Sequence, residues 1–441
     1  IYIGKFDKIT EWNDSVLLKL KSLIKNYLEL DNVSFLFGAG SSINLGSTSI
    51  STIPKSIENA IKEHSSQIGN DENLIYKEFV AIVSNLMQIE KLEIKEDINI
   101  DYPLEKLLDY LTALSFVIEK DPKAISYLHI DELIKIIKKR LFELCDLDLL
   151  DVKKGLSDED MKLLTENRYV FHEQFLKKIL QRPLNLRRIN LFTTNYDLAF
   201  EYAFDNIGVK YIDGFSGFNH RTFKPESYDY DIFYPGSTTE GTVHRIEKVI
   251  KYFKLHGSLT WKFEEHSPQN IYGIKEYPID LIRFLKDKED QFFGDLMIYP
   301  TAAKKSYTLD YPYSELFRQF ANSIIQPQSV LITYGFSFSD EHIRDIIYQA
   351  LSIPTFTLII IDFLGTSGSE EIQRLYELDD PRIIIIQGEQ FGEFTFFVKN
   401  IIPDLVEFQN EQKLASTLKK LFDVTTIDKP DESGEDLNEP L

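Results

Sequence analysis

The stretch that decides the fold is VSFLFGAGSS, residues 33–42. Its first half, residues 33–37, is apolar in four of its five positions and has the length of a buried strand. The run then ends abruptly in glycine, alanine and serine. A buried strand that ends in this way is typical of a parallel α/β sheet, in which the turn after the strand leads to a ligand site.

The same pattern recurs further along the chain. Apolar runs of strand length cover residues 189–193, 249–255, 330–334, 357–361 and 382–386, and helices are predicted over residues 198–206, 314–325, 342–351 and 370–378. Near-continuous apolar strands are buried on both faces, so we expect a doubly wound, mostly parallel, Rossmann-like α/β sheet. Residues 208–240 are predicted to form a loop excursion from it.

A large helical insertion is predicted between the first two strands. Apolar residues recur at helical spacing over residues 53–64, 74–90, 104–119, 130–145 and 170–180, with polar connectors such as 95–97 and 157–160. We therefore predict an N-terminal helix in residues 1–30, an α/β domain of residues 31–46 and 186–400, and the insertion over 47–185. A helical segment over 401–427 and an acidic disordered tail over 428–441 follow.

The composition excludes several classes of protein. The 441 residues carry a net charge of −21, which argues against a surface built to hold a nucleic acid backbone. The chain has one cysteine, Cys145, and therefore no intrachain disulfide, CxxC pair or four-cysteine zinc site. We expect a reducing, cytoplasmic setting. No run of 18 apolar residues occurs, so we expect no transmembrane helix.

Two glycine and serine turns are candidate nucleotide contacts. The first consists of Gly38, Ala39, Gly40, Ser41 and Ser42. Glycines let a backbone approach a phosphate, and the N-terminus of a following helix favours negative charge. The second turn contains Gly335 and Ser337 and fits a second phosphate or ribose contact. The alternative is a plain turn in both places, with Ser339 or Asp340 capping the helix after the second one.

Thr193, Asn195 and Asp197 follow the second predicted strand. The amide of Asn195 can hold a ribose hydroxyl or a water molecule. All three residue types are also good helix N-caps, so capping of the helix at residue 198 is the alternative, above all for Asp197.

His256 and Asp362 follow two further strands. An imidazole can act as a general base or polarise a sugar hydroxyl, although a lone histidine is more often structural. An acidic residue at the end of a strand often holds the adenosine ribose in dinucleotide sites, and a cap or turn residue is the alternative for Asp362. Neither HExxH, GxSxG nor GxxxxGK[ST] occurs, and the scattered carboxylates carry no signature of a two-metal nuclease.

In this order the motifs resemble those of the sirtuin-like family. The matching segments are Gly38-Ala-Gly40-Ser41, Thr193-Thr-Asn195-Tyr-Asp197, His256-Gly257 and Gly335-Phe-Ser337. The spellings TTNYD and LHGS are similar to those of a bacterial branch found in anti-phage defence. The resemblance covers about residues 31–46 and 186–390 and implies an NAD pocket in a Rossmann-like domain.

Two departures from the family pattern decide which activity is implied. Deacylating sirtuins carry a zinc module with two CxxC pairs, which one cysteine cannot supply. The GIPDFR continuation of the glycine turn is replaced by Leu45-Gly46-Ser-Thr. The resemblance therefore implies an NAD hydrolase without zinc, with Asn195 and His256 as catalytic residues and NAD as substrate.

The resemblance also implies a biological role and partners. We expect a homo-oligomeric effector of anti-phage defence that depletes NAD in abortive infection, paired with a HerA-type ATPase or another sensor. No membrane and no direct nucleic acid contact are expected. The alternatives are a non-catalytic assembly subunit that binds NAD or ADP-ribose, and a nuclease effector that works with an ATPase partner.

Overall fold

The computed structural model describes residues 1–3, 7–9, 13–48, 52–67, 74–89, 104–121, 123, 126–153, 155–235, 243–285 and 312–406. The predicted connector at 95–97, the tail over 428–441 and most of the C-terminal helical segment predicted over 401–427 lie outside these residues. The predicted domain boundaries stay predictions.

The strands are, in chain order, Tyr2–Ile3 (β1), Asp7–Lys8 (β2), Asn32–Phe37 (β3), Asn190–Thr193 (β4), Lys210–Ile212 (β5), Phe215–Ser216 (β6), Arg221–Phe223 (β7), Phe233–Pro235 (β8), Val243–Arg245 (β9), Val249–Lys254 (β10), Trp261–Phe263 (β11), Ile274–Glu276 (β12), Ser329–Tyr334 (β13), Phe356–Asp362 (β14) and Ile383–Gln387 (β15).

The helices are Asp14–Leu28 (α1), Ile53–Gln67 (α2), Leu74–Ile89 (α3), Leu104–Lys120 (α4), Ile130–Cys145 (α5), Asp158–Glu166 (α6), Val170–Ile179 (α7), Ala199–Ile207 (α8), Ile279–Leu285 (α9), Tyr313–Ile324 (α10), Glu341–Leu351 (α11) and Glu370–Glu377 (α12). A short turn Phe394–Phe396 continues as the π-helical turn Phe397–Ile401.

The central sheet confirms the predicted α/β fold. Its order is β2-β1-β15-β14-β13-β3-β4-β10-β5, and the seven strands from β15 to β5 are parallel. Six of these seven are the predicted apolar runs. The seventh, β5, has only three residues and one buried position, so no apolar pattern marked it. It lies in the predicted loop excursion, which also contains β6, β7 and β8.

Helices cover both faces of the sheet, as buried parallel strands require. On one face α1, α7, α8 and the π-helical turn pack against inward-facing residues such as Phe35, Phe37 and Tyr334. On the other face α10, α11 and α12 pack against residues such as Leu36, Leu331 and Ile360. Alternate residues of β3 therefore enter different cores, which is why its whole run is apolar except for the small Ser34.

The helices α2 to α5 form a third core, here called the helical layer. It is built from apolar side chains such as Ile61, Phe79 and Leu111. By contrast, α7 belongs to the core of the sheet through Phe171 and Phe175. None of the helices in the described ranges has both the length and the apolar composition needed to cross a bilayer.

The predicted connector at residues 157–160 is wrong, because these residues begin helix α6. The Ser157 hydroxyl accepts a hydrogen bond from the Asp160 N–H at 3.1 Å, which makes Ser157 the N-cap. Asp158, Glu159 and Asp160 then fill the first turn, where acidic side chains complement the helix dipole. The charge run is therefore a helix start rather than a linker.

The order of the strands creates one crevice at their carboxyl ends. From β3 the sheet extends through β4 and β10 on one side and through β13 and β14 on the other. The turns after β3 and β13 therefore lead away in opposite directions. Such a switch point is where open parallel sheets bind ligands.

Candidate functional site

The two glycine turns touch each other at this switch point. The Gly38 N–H donates to the Tyr334 carbonyl at 3.0 Å, and the Gly40 N–H donates to the Gly335 carbonyl at 3.2 Å. The segments are almost 300 residues apart in the sequence, but β3 and β13 are paired in register up to their last residues, Phe37 and Tyr334. The ends of two adjacent strands thus form one structure.

This contact demands glycine on both sides. A Cβ atom on Gly40 would lie 2.6 Å from the Gly335 Cα, and one on Gly335 would lie 2.5 Å from the Gly40 Cα. Gly335 also has a φ of +58°, which disfavours other residues. The sequence motif predicts that these glycines let a phosphate approach the backbone. The structure gives them a packing role that holds without any ligand.

Most amides of the first turn already have acceptors. Besides Gly38 and Gly40, the N–H groups of Ser41 and Ser42 donate to the carbonyls of Gly38 and Ala39. The Ser41 hydroxyl donates to the Gly38 carbonyl at 2.9 Å. A phosphate at this turn would therefore need other donors. The Asn44 amide nitrogen, two residues after the turn, is buried and has no hydrogen-bond partner among the described residues.

Asn195 connects the second strand end to the first turn. Its Nδ2 donates to the Ser41 and Ser42 hydroxyls at 3.1 and 3.2 Å. Its own backbone N–H donates to the Thr193 hydroxyl at 3.0 Å, and that hydroxyl donates to the Phe37 carbonyl at 3.1 Å. The amide is thereby held with Oδ1 as the acceptor that remains for a ligand.

Asp197 is a buried carboxyl group that contacts the start of α8. Its Oδ1 accepts from the Ala199 N–H at 3.1 Å, although the N-cap position itself is Leu198, so the capping alternative does not hold in its strict form. Burial raises the pKa of this carboxyl, while Lys254 and hydrogen bonds from Ser42 and Asn195 act in the opposite direction. Asp197 thus belongs to the same hydrogen-bond network as Asn195 and Ser42.

Lys254 and Glu201 belong to the site, although neither was predicted to be a site residue. Lys254 is only 3% exposed, and its Nζ donates to the Asp197 carbonyl and, at 2.8 Å, to Glu201 Oε1. Burial raises the pKa of Glu201, and Lys254 opposes this shift. A lysine at the end of a buried strand must have polar or acidic partners. The position of Lys254 at the end of an apolar run was therefore the feature of the sequence that could have indicated this contact.

His256 is paired with a carboxylate that lies 84 residues further on. Its Nε2 is 2.9 Å from Asp340 Oδ2, and both residues are buried. The other oxygen, Asp340 Oδ1, accepts from the N–H groups of His342 and Ile343 at 2.9 and 3.1 Å. Asp340 was predicted only as a possible cap. It does cap α11, and it also fixes the imidazole at the site.

Ser337 and Asp362 stand at the next two strand ends. The Ser337 hydroxyl is 2.9 Å from the Ser339 hydroxyl on the surface. Asp362 Oδ2 accepts from the N–H groups of Leu364 and Gly365 at 3.0 and 2.7 Å, so Asp362 organises the turn after β14. Burial raises the pKa of this carboxyl. Its predicted contact with a ribose stays a prediction.

The helical layer rests on the two loops that carry Asn195 and His256. Tyr196 and Leu259 pack into its core, and Leu259 is 1% exposed. The Leu259 N–H donates to the Tyr196 carbonyl at 3.2 Å, which joins the loops to each other. The Tyr196 and His256 rings lie 6.5 Å apart between centroids. The helices therefore contact the site directly.

A comparison with protein families agrees with this geometry. A family model described as a SIR2-like domain matches residues 189–356. This match supports a sirtuin-like family. SIR2-like domains bind NAD, and members of the family are NAD-dependent enzymes. No curated protein matches the chain at a significant level.

The segment that matches the SIR2-like model contains half of the twelve predicted site residues. It includes Thr193, Asn195, Asp197, His256, Gly335 and Ser337. The first glycine turn, residues 38–42, and Asp362 lie outside the match. They are tied to the matched part by the hydrogen bonds of Gly38 and Gly40 and by the pairing of β13 with β14.

The donor set of the site suits NAD. Hydroxyls and amides that suit sugar and phosphate oxygens gather at the turn after β3, and an imidazole with a carboxylate partner follows β10. The unpartnered Asn44 amide adds a buried donor. The described residues hold no group of three or more histidine, cysteine or acidic side chains placed to bind a metal.

Proposed function

We propose that the sirtuin-like core is an NAD⁺ glycohydrolase, which cleaves NAD⁺ into nicotinamide and ADP-ribose. The observation that carries the proposal is that Asn195, held by two serine hydroxyls, and His256, held by Asp340, follow the paired parallel strands β4 and β10 at the carboxyl ends of the sheet. Deacylation is not proposed, because the single cysteine cannot supply the zinc module of deacylating sirtuins.

In the proposed reaction the bond between ribose C1′ and the nicotinamide nitrogen breaks, and its electron pair leaves with nicotinamide. The oxygen of a water molecule forms the new bond to C1′, and the water gives up one proton. Asn195 Oδ1 orients this water or a ribose hydroxyl. The products are nicotinamide, ADP-ribose and the released proton, as in other glycosyl transfers through an oxocarbenium-like transition state.

His256 receives the proton in this scheme. A carboxylate beside Nε2 favours the tautomer that carries its proton there, which leaves Nδ1 as a base. Burial of both partners keeps the ring in one orientation. A positioned base of this kind typically contributes about 10²–10⁴-fold to the rate.

We further propose that this activity serves anti-phage defence by abortive infection, in which the depletion of NAD arrests the infected cell. An enzyme of this kind must be silent until it is triggered. The resemblance to bacterial defence proteins supports a homo-oligomer that works with a HerA-type ATPase or another sensor. The contact of the helical layer with the catalytic loops supports a control role for these helices.

The test is the loss of NAD⁺ in the presence of purified protein, alone and with the product of the neighbouring gene. His256→Ala and Asn195→Ala should each lower turnover by about 10²-fold or more. His220→Ala, at an exposed position, is the matched control and should keep the wild-type rate. Circular dichroism establishes that each variant is folded. Wild-type rates in both site variants would refute the assignment of the site.

A further inference from the structure

A cavity opens at the end of the sheet opposite to the candidate NAD site. It has a volume of about 430 Å³ and is lined by Asn32 and Asn190, the first residues of β3 and β4, and by Lys251 in β10. These strands are parallel neighbours, so the cavity lies at their amino ends. The six residues of β3 separate it from the NAD site by roughly 20 Å. Pockets of about 300–1,000 Å³ commonly bind small ligands.

The cavity is basic in a strongly acidic protein. Its lining contains two carboxylates, Asp229 and Asp231, and five cationic side chains, which are Arg187, Arg188, Arg245, Lys251 and Arg318. The chain as a whole has a net charge of −21. A local excess of cations against such a background is what recognition of an anion requires.

Two of the arginines are held in place before any ligand binds. Asp231 accepts from Arg188 Nε at 3.0 Å and from Arg245 Nε at 2.7 Å. The same guanidinium groups donate to the carbonyls of Ile246 and Leu186, each at 2.5 Å. Arginines fixed in this way lose little conformational entropy when they bind an anion.

Lys251 carries a partly buried ammonium group at the cavity. Burial lowers its pKa, Asp229 and Asp231 oppose this shift, and Arg245 and Arg187 add smaller effects in the direction of burial. Lys251 Nζ donates to the Tyr228 carbonyl at 2.5 Å. An anion in the cavity would stabilise the charged form of this partly buried ammonium group.

The rest of the lining suits a nucleobase. Helix α10 presents Gln319 and Asn322 to the cavity, three residues apart and therefore on one face, and Gln326 lines it two residues after the helix ends. Side-chain amides can donate to and accept from the edge of a base. Tyr230 also lines the cavity and is 59% exposed, so its ring is available for stacking.

We propose that this cavity, formed by the amino ends of β3, β4 and β10 with helix α10, binds a nucleoside phosphate. Arg187, Arg188, Arg245 and Lys251 hold the phosphate, Tyr230 stacks on the base, and the amides of Gln319 and Asn322 contact its edge, whereas Arg318 stays paired with Glu315. The site is separate from the NAD site and does not depend on the proposed hydrolase activity.

The test is calorimetric titration of the full chain with AMP, ADP, adenosine and inorganic phosphate at low and high salt. Arg187→Glu changes an exposed cation of the rim and should weaken AMP binding at least tenfold. Tyr230→Ala should weaken it at least fivefold by the loss of stacking. Lys210→Glu makes the same charge change at an exposed position outside the lining and should have no effect.

Binding at the NAD site must be told apart from binding at this cavity. Asn195→Ala should leave the cavity titration intact, whereas Arg187→Glu should leave any binding at the NAD site intact. The proposal is overturned if no nucleotide binds, or if AMP binding survives both cavity substitutions. Equal affinity for phosphate and AMP would also overturn it, as would a preference for a single-stranded oligonucleotide over AMP.

Discussion

At the residue scale, the site depends on Asp340, because its two oxygens hold two different parts of the molecule. Oδ1 caps α11 and Oδ2 contacts the His256 ring. The cap keeps the carboxylate in place, and the carboxylate keeps the imidazole in place. A change that preserves the cap and removes the charge therefore separates positioning from folding.

Asp340→Asn is that change. Asparagine caps a helix about as well as aspartate, so the free energy of unfolding should change by less than about 1 kcal/mol. NAD⁺ turnover should fall at least tenfold, because His256 loses the partner that sets its tautomer. Ser157→Ala removes the cap of α6, far from the site, and should cost about 1 kcal/mol without lowering turnover. Full activity in Asp340→Asn would exclude the positioning role.

His172 predicts a pH dependence of stability. It lies between Phe200 and Phe394, and neither of its ring nitrogens has a hydrogen-bond partner among the described residues. Burial lowers its pKa to about 3, against about 6.5 in the unfolded chain. Below pH 6.5 the unfolded state therefore binds a proton that the folded state does not, and stability is lost as the pH falls.

Between pH 7 and pH 5 this histidine should account for a loss of about 2 kcal/mol in the free energy of unfolding. In His172→Phe that part of the loss should disappear, and His172→Leu serves as a second variant in case phenylalanine does not fit. Urea unfolding at the two pH values measures the difference. An equal loss in wild type and both variants would show that His172 is not the group responsible.

At the element scale, the close contact between the two glycine turns fixes the relative position of the ends of β3 and β13. Gly335 and Gly208 have similar backbones, with φ of +58° and +67°. They differ in their surroundings, since a Cβ on Gly335 would collide with Gly40, whereas one on Gly208 meets no described atom within 4 Å. The pair therefore separates backbone strain from crowding.

Gly208→Ala should cost about 1–2 kcal/mol, from the left-handed backbone alone. Gly335→Ala should cost about 1–3 kcal/mol more, or prevent folding, because the added methyl group forces the two turns apart. Chemical denaturation of both variants measures the difference. Equal destabilisation would mean that the two turns can move apart to accommodate a methyl group at little cost in free energy.

The helical layer offers a second comparison. Leu259→Ala and Ile61→Ala each remove a buried side chain of the same core, and each should cost about 2–5 kcal/mol. Only Leu259 adjoins the loop of His256 and contacts the loop of Asn195. At a temperature where both variants are folded, NAD⁺ turnover should fall in Leu259→Ala and stay near wild type in Ile61→Ala. The same turnover in both would remove the case for control through this layer.

The elements differ in how far the sequence predicts them, and the cause is physical. The six apolar strands were predictable because both of their faces are buried, whereas β5 is too short to show a pattern. The carboxyl-end residues were predictable as a group, since parallel strands bring their ends together. The His256–Asp340 pair and the Lys254–Glu201 contact were not, because they depend on where separate turns and helices place their side chains.

At the scale of the whole molecule, the two ends of the parallel strands differ chemically. The carboxyl ends carry the two glycine turns in contact with each other and the His256–Asp340 pair, and the amino ends carry the basic cavity. The net charge of −21 disfavours the binding of a nucleic acid backbone over the general surface, and this stays an expectation. The same net charge is compatible with the binding of a small anionic ligand in a local basic cavity.

The central claim is that the carboxyl edge of this sheet hydrolyses NAD⁺. Proton NMR of NAD⁺ incubated with the protein, alone and with the product of the neighbouring gene, follows the nicotinamide ring and the anomeric proton together. We predict that free nicotinamide and ADP-ribose appear in equal amounts and that neither forms with His256→Ala. An NAD⁺ spectrum that stays unchanged under both conditions, or an equal rate in His256→Ala, would contradict the claim.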